Sequence, residues 1–214
     1  MDGNRRWAKE RGLDTLVGHQ QGQQAWEEIV FAVRDLGIAH AVFYAFSTEN
    51  WKRSEVEVSY LMDLFSEHLS RMSERLPEQR VRIRIIGRRT DFSGQLQEQM
   101  LQLETDSAQY VDTTIWIALS YGGRAEIVDA VNEAVKAGKK VDEATFASLL
   151  WSHEMPDPDL VIRTGGEQRL SNFLPWHSIY SELYFTDTYW PAFTKEEFHR
   201  IVEWYGSRER RRGR

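Results

Sequence analysis

Short, strand-like apolar runs alternate along this chain with segments whose apolar residues recur at helical spacing, and no other feature restricts the fold as much. Ile38 to Phe46, Arg80 to Gly87, Thr113 to Leu119, Leu160 to Ile162 and Ser181 to Phe185 read as strands. Gly18 to Leu36 (closed by Gly37), Ser54 to Leu76, Phe92 to Ala108, Arg124 to Ala137 and Asp142 to Trp151 read as helices. Thr194 and Glu197 form a capping box that opens a last helix. Trp26, Ile29, Val30, Val33 and Leu36 give the first helix an apolar face, and Pro77 is expected to stop the second at Leu76. Strand–helix alternation predicts an α/β fold with a central, mostly parallel β-sheet flanked by α-helices. The 214 residues suit a single domain and allow a sizeable core.

Composition narrows the function classes. The net charge is -6, which argues against a nucleic-acid partner, since such proteins carry a basic field. With no cysteine there is neither a thiolate metal site nor a thiol nucleophile. No apolar run is long enough for a transmembrane segment, and the first residues are polar, so a cytoplasmic protein is expected. No HExxH pairing or GxSxG elbow is present, which disfavours a zinc hydrolase or a serine hydrolase of that type.

In parallel sheets ligands gather beyond the carboxyl ends of the strands. Three polar clusters fall there: Ser47-Thr48-Glu49-Asn50-Trp51, Ser120-Tyr121-Gly122-Gly123-Arg124 and Arg163-Thr164-Gly165-Gly166-Glu167. They are expected to converge on one rim. Asp2-Gly3-Asn4-Arg5-Arg6-Trp7 adds an acid, a flexible glycine, an amide and two guanidiniums in six residues. Arginine binds phosphate oxygens bidentately, and a single aspartate suits a magnesium ion that completes its shell with water and substrate phosphate. Arg163, Arg169 and Ser171 around a double glycine can wrap a diphosphate. Ser47, Asn50 and Arg53 form a further polar set beside Trp51, and His19, just ahead of a helical pattern, can offer a ring nitrogen to phosphate. Glu182, taken alone, reads as a solvated acid. No Walker loop or dinucleotide fingerprint supports a nucleotide.

In order and spacing, Met1 to Ala8, Gly18-His19, Tyr44 to Trp51, Tyr121-Gly122-Gly123-Arg124, Ile162 to Glu167 and Arg169-Leu170-Ser171-Asn172-Phe173-Leu174 resemble the cis-prenyltransferases, bacterial undecaprenyl diphosphate synthases above all. The resemblance spans essentially the whole chain. It implies a homodimer with a hydrophobic tunnel for the growing lipid, and a reaction that joins isopentenyl diphosphate to an allylic diphosphate with Mg2+ as cofactor. By the same resemblance Asp2 holds the metal with help from Glu182. Gly3, Asn4, Arg5, Arg6, Trp7 and His19 form the allylic-diphosphate site, and Ser47, Thr48, Glu49, Asn50, Trp51 and Arg53 line the reacting region. Asn50 matches the position of a proton acceptor; an amide is a poor base, so orientation or relay fits its chemistry better. Arg163, Arg169, Leu170 and Ser171 match the isopentenyl-diphosphate site, and Arg211 with Gly213 the element that reaches the site from the dimer partner. Ala45, Leu61, Leu64, Phe65, Leu69, Ile85 and Ile117 are candidates for the tunnel wall.

The sequence departs from the family pattern at Thr15, where an arginine is usual, so that one diphosphate contact is missing or passes to Arg11. His177 stands where a glutamine is usual, and Ala192 where an acid is common. The apolar strand that ordinarily precedes the Asp-Gly-Asn motif is expected to be missing from the sheet. Two other function classes remain: a non-catalytic partner subunit of a prenyltransferase complex and a plain diphosphate-binding module. Retention of Asp2, Asn50 and Glu182 speaks against the former. Contact with a membrane surface is expected only through a lipid product.

Overall fold

The computed structural model describes residues 1–138 and 140–209. In chain order these form α1 (Asn4–Glu10), α2 (Thr15–Asp35), β1 (His40–Ser47), α3 (Glu55–Gln79), β2 (Arg82–Ile86), α4 (Gly94–Ser107), β3 (Thr114–Tyr121), α5 (Gly123–Ala137), α6 (Glu143–Ala147), β4 (Leu160–Arg163), β5 (Glu182–Phe185) and α7 (Lys195–Gly206). The α/β alternation read from the sequence is therefore present, with parallel strand pairing throughout. It is divided, however, between a three-stranded sheet in the order β1-β3-β2 and a two-stranded sheet of β4 and β5. Packing follows the same division, into two compact units.

One unit comprises residues 37–156 and 172–174. All eight residues of β3 are buried, as expected of a strand paired on both sides in a covered parallel sheet. β2 alternates instead: Ile83 and Ile85 are buried while Arg82 and Arg84 are half-buried. In register, Ser47 at the end of β1 lies beside Tyr121 at the end of β3, so the two polar clusters that follow these strands share one sheet edge. Behind that edge lies a fully buried acid. Glu126, in the first turn of α5, accepts hydrogen bonds from the Tyr121 hydroxyl at 2.5 Å and from the Ser152 amide and hydroxyl at 3.0 and 2.6 Å. Burial, together with the Glu126 charge, pushes the Tyr121 phenol well above its ordinary value, so it remains a donor to the carboxylate.

The other unit comprises residues 1–36, 157–171 and the chain from 175 onward. Trp26, Ile29, Val30 and Val33 on α2, Phe198 and Ile201 on α7, and Trp190 and Phe193 between them supply its buried apolar side chains. The Trp190 indole donates to the Gly22 carbonyl at 2.7 Å, satisfying a buried N–H.

Local chemistry corrects several expected boundaries. Pro77 does not stop α3: the helix runs to Gln79 and ends on Arg80 in the left-handed region (φ 52), whose N–H reaches the Leu76 carbonyl at 2.8 Å. Proline's fixed φ is helical, and so close to the end it removes only one bond of the ladder. The helix after Asp142 is also shorter than expected, with turns replacing it from Ser148. α2 starts at Thr15, where the Asp14 side chain accepts from Leu16 N–H at 2.8 Å, so His19 lies within the helix and not ahead of it.

Truncating the buried acid tests this account. Glu126→Ala leaves the Tyr121 hydroxyl and the Ser152 amide without an acceptor, and is expected to lower unfolding free energy by roughly 3 kcal/mol. Urea titration at unchanged slope measures it; a loss below about 1 kcal/mol would remove the acid from the set of groups that hold α5.

Candidate active site

In the unit that contains the N-terminal segment, Asp2 is stitched in place by its backbone. Its N–H donates to the Thr164 hydroxyl at 2.9 Å; its carbonyl accepts from that hydroxyl at 2.9 Å and from Trp190 N–H at 2.9 Å. The next residue, Gly3, has φ 104, and a Cβ there would lie 2.5 Å from the Tyr189 ring, so only glycine suits the entry to α1. These constraints aim the Asp2 carboxylate at Arg163, the last residue of β4. Arg163 Nη2 donates to Asp2 Oδ2 at 2.9 Å, and its Nη1 donates to the Ser171 hydroxyl at 2.8 Å and to the Arg169 carbonyl. Arg6 adds a second guanidinium 3.5 Å from Asp2 and 3.5 Å from Glu167, above the Tyr189 ring. Arg169 in turn pairs with Glu167.

The expected acid, guanidiniums and hydroxyl are thus brought together: Asp2, Arg6, Arg163, Arg169 and Ser171. Glu167 joins them; the sequence presented it only as part of a motif. Glu182 opens β5 and is held by Arg208 Nε at 3.3 Å. The Asn4 side chain packs against Gly22 of α2. Arg5 is exposed, Leu170 is half-buried and the Trp7 ring lies under the Arg11 guanidinium, 4.5 Å from its centroid. Arg11, the expected substitute for the arginine missing at Thr15, is therefore stacked on a neighbouring site candidate. His177 is buried and bonded to Asp157 at 2.7 Å. Arg211 and Gly213 lie outside the described residues.

The other unit holds a second cluster at the shared end of β1 and β3. A short 3-10 turn, Thr48–Lys52, follows β1, and Asn50 folds back so that its Oδ1 accepts the Ser47 N–H at 3.0 Å. Glu49 accepts from Asn172 Nδ2 at 2.9 Å and from the Thr48 hydroxyl at 3.3 Å. Asn172 also caps α5, its carbonyl and Oδ1 accepting from Gly123 and Arg124 N–H at 2.9 and 2.8 Å. A Cβ on Gly122 would lie 2.5 Å from the Thr48 hydroxyl and 2.9 Å from the Asn172 amide, which measures how closely turn, helix start and cap converge. The Trp51 indole donates to Ser120 Oγ at 2.8 Å, and Arg53 pairs with Glu57 at 3.0 Å. Asn172 had no separate role in the sequence reading, although it stands inside the Arg169 to Leu174 motif. Only the fold reveals it as the group that takes up the α5 amides.

Electrostatics keep both acids charged. Burial raises the Asp2 carboxyl, but the Arg163 and Gly3 hydrogen bonds and the positive charges of Arg163 and Arg6 outweigh it and leave the pKa below the ordinary 3.8. For Glu49 burial again opposes ionisation, and its own N–H with the Asn172, Ser47 and Thr48 side chains prevails. Among the described residues no three acidic or histidine side chains group as a metal cage. An ionised Asp2 beside guanidiniums does fit a magnesium ion whose other ligands are water and diphosphate oxygens.

Because the folded Asp2 pKa is depressed, the Asp2–Arg163 pair contributes its full stability above the ordinary carboxyl value. That contribution is lost as pH falls through the lower, folded value. Wild type should therefore lose stability below about pH 4 more steeply than Asp2→Asn. Thermal midpoints taken across that range check this; parallel curves would contradict it.

Residues 1–213 match the family model described as "Putative undecaprenyl diphosphate synthase". An isoprenyl transferase of Thermotoga maritima is 47% identical over 218 residues, covering 100% of this chain and 94% of that protein. One of Aquifex aeolicus is 46% identical over 215 residues, covering 100% and 93%. Among solved structures, lavandulyl diphosphate synthase from Lavandula x intermedia, in complex with dimethylallyl diphosphate, aligns with a TM-score of 0.94 at 34% identity over 100% of this chain and 95% of that one. A probable undecaprenyl diphosphate synthase from Campylobacter jejuni aligns with a TM-score of 0.82 at 31% identity over 91% and 93%. The motifs from Asp2 to Leu174, the parallel α/β fold that carries them and these full-length matches lead to one conclusion: the chain belongs to the undecaprenyl diphosphate synthase family of isoprenyl transferases.

Proposed function

We propose that the chain condenses isopentenyl diphosphate with an allylic, farnesyl-type diphosphate, extending it by one cis-prenyl unit per cycle and releasing diphosphate. The observation that carries this reading is the Asp2–Arg163 cluster, where an ionised acid, two guanidiniums and a hydroxyl share one loop set. The lavender enzyme's complex with dimethylallyl diphosphate supports an allylic diphosphate as ligand class.

In this reading Gly3, Asn4, Arg5, Arg6, Trp7 and His19 bind the allylic diphosphate, and Arg163, Arg169, Leu170 and Ser171 bind isopentenyl diphosphate. Asp2, assisted by Glu182, would hold Mg2+, which would supply positive charge against the departing diphosphate. The guanidiniums supply the same kind of stabilisation from fixed positions. The allylic carbon–oxygen bond breaks with its electron pair on the departing diphosphate, the terminal alkene carbon (C4) of isopentenyl diphosphate bonds to the allylic carbon, and a proton passes from C2 to an oxygen of the released diphosphate, forming the new C2–C3 double bond. Arg163 holds Asp2, Arg169 and Ser171 with three of its five N–H donors, so diphosphate engages it through the other two or by exchanging oxygens for these acceptors. Asn50 has its amide oxygen committed to the Ser47 N–H, leaving N–H donors to orient a substrate oxygen; this favours orientation over proton acceptance. Ser47, Thr48, Glu49, Trp51 and Arg53 complete the reacting region.

The growing lipid needs an apolar channel. Leu61, Leu69, Ile85 and Ile117 are buried and Ala45, Leu64 and Phe65 half-buried, which suits them for its wall. A homodimer contributing Arg211 and Gly213, and a cytoplasmic enzyme meeting membrane only through its product, complete the proposal. No helix among the described residues is long and apolar enough to cross a membrane.

The test is incubation of purified protein with Mg2+, farnesyl diphosphate and labelled isopentenyl diphosphate, with sizing of the lipid. Elongated product and free diphosphate are expected, and a metal chelator should abolish both. Asp2→Ala should lower kcat by roughly a thousandfold. Product formation in chelator would remove the metal from the mechanism, and unchanged turnover in Asp2→Ala would remove Asp2. Activity only with an added second protein would favour a partner-subunit role.

A further inference from the structure

We propose that Asp91 is a positioning residue for the reacting region: through the Ser120 hydroxyl it fixes the indole of Trp51, and with it the turn that carries Asn50. The proposal rests on the reading of the Thr48–Lys52 turn as part of the prenyl-transfer site.

Ser120 is the penultimate residue of β3, fully buried, and has φ 45. The left-handed region is unfavourable for a residue with a Cβ, so its neighbours impose this conformation. They come from the chain that leaves β2. Gly87 has φ 118, and a Cβ there would stand 2.0 Å from the Leu119 carbonyl oxygen, so glycine alone permits the approach. The next residue, Arg88, donates its N–H to the Ser120 carbonyl at 3.2 Å. A 3-10 turn, Arg89–Asp91, then brings the Asp91 carboxylate onto the Ser120 hydroxyl.

The direction of the chain of bonds is fixed by chemistry. Indole N–H only donates and a carboxylate only accepts, so the hydroxyl between them must accept from Trp51 at 2.8 Å and donate to Asp91. A negative charge at the far end polarises the hydroxyl and strengthens its hold on the indole. Packing completes the clamp. Phe92, directly after Asp91, tilts against the Trp51 ring at 5.5 Å, and Phe46 meets it edge-on at 5.0 Å. Trp51 is thus packed against two phenyl rings and held in rotation by one hydroxyl. Asn50 precedes Trp51 in the same turn, so the register of its amide depends on that hold.

Indole 15N labelling reads the clamp directly, with the Trp51 Nε1–H resonance assigned by its loss in Trp51→Phe. Asp91→Ala is expected to move that resonance and to lower kcat/KM about tenfold, the size of one charge-assisted hydrogen bond, chiefly through kcat. Asp91→Asn keeps an acceptor oxygen and should restore most of the activity. Ser120→Gly suits the local φ while removing the hydroxyl; it should lose as much as Asp91→Ala, and the double variant should lose no more. An unmoved resonance in Asp91→Ala, additive losses in the double variant, or Asp91→Asn as impaired as Asp91→Ala would each overturn the proposal. Should Asp91→Ala fail to fold, Asp91→Asn and Ser120→Gly carry the same comparison. A wild-type chain that forms no prenyl product would defeat the functional reading, while the resonance still decides whether Asp91 fixes Trp51.

Discussion

The guanidinium of Arg163 joins parts of the chain 161 residues apart, and the charged cluster around it has no geometry without that join. A guanidinium has five donors in a planar fork and no acceptor, so one side chain can hold a carboxylate on one edge and a carbonyl and a hydroxyl on the other. Its side chain is only 15% exposed, against 40% for Asp2, so the cation is the more enclosed partner and depends on keeping those acceptors. The backbone prepares the join: Thr164 and Trp190 fix Asp2, and β4 fixes Arg163. Removal of the acid would strand a half-buried positive charge, which is why structure and chemistry at this point cannot be separated.

In the second unit the comparable role falls to a neutral amide. Asn172 uses its carbonyl, its amide oxygen and its amide N–H at once, to two N–H groups of α5 and to Glu49. The amides at the start of a helix would otherwise attract an anion. Here they are occupied by the protein, so the positive end of α5 steadies the turn after β1. The pairing of Ser47 with Tyr121 across β1 and β3 supplies the common edge on which this happens.

Much of this was legible beforehand, for reasons that can be named. Strands such as β3 are buried on both faces and read as unbroken apolar runs, and the cap at Thr194 announces its helix by residue type. Asp2, Arg163 and Ser171 could be singled out because acid, guanidinium and hydroxyl stand beside glycines in their motifs, and the structure brings the three together. What stayed hidden depends on contacts distant in sequence. α1 is short and charged, and its helix is set by Gly3 and the fixed Asp2 backbone. Pro77 looked like a terminator because its cost depends on where the ladder ends. Asp91, Ser120 and Glu126 sit among ordinary polar residues, and only the crossing of β2, β3 and α5 turns them into a carboxylate clamp and a buried acid.

Parallel pairing leaves the three-stranded sheet with two unequal ends. Chains enter it near Ile38, Val81 and Thr113, where the ties run mainly to backbone carbonyls: the Thr113 hydroxyl donates to the Ile38 carbonyl, and Arg82 and Thr114 N–H to those of Thr113 and Ala39. They leave it at Ser47, Gly87 and Tyr121, and the turns beyond are joined through side chains: Trp51 to Ser120, Ser120 to Asp91 and Glu49 to Asn172. Backbone carbonyls are the same for every residue, so side chains at the entry turns can change over evolutionary time more freely than those of the exit turns, which bond to one another and must vary together. Divergence in this fold is channelled to one pole of the sheet.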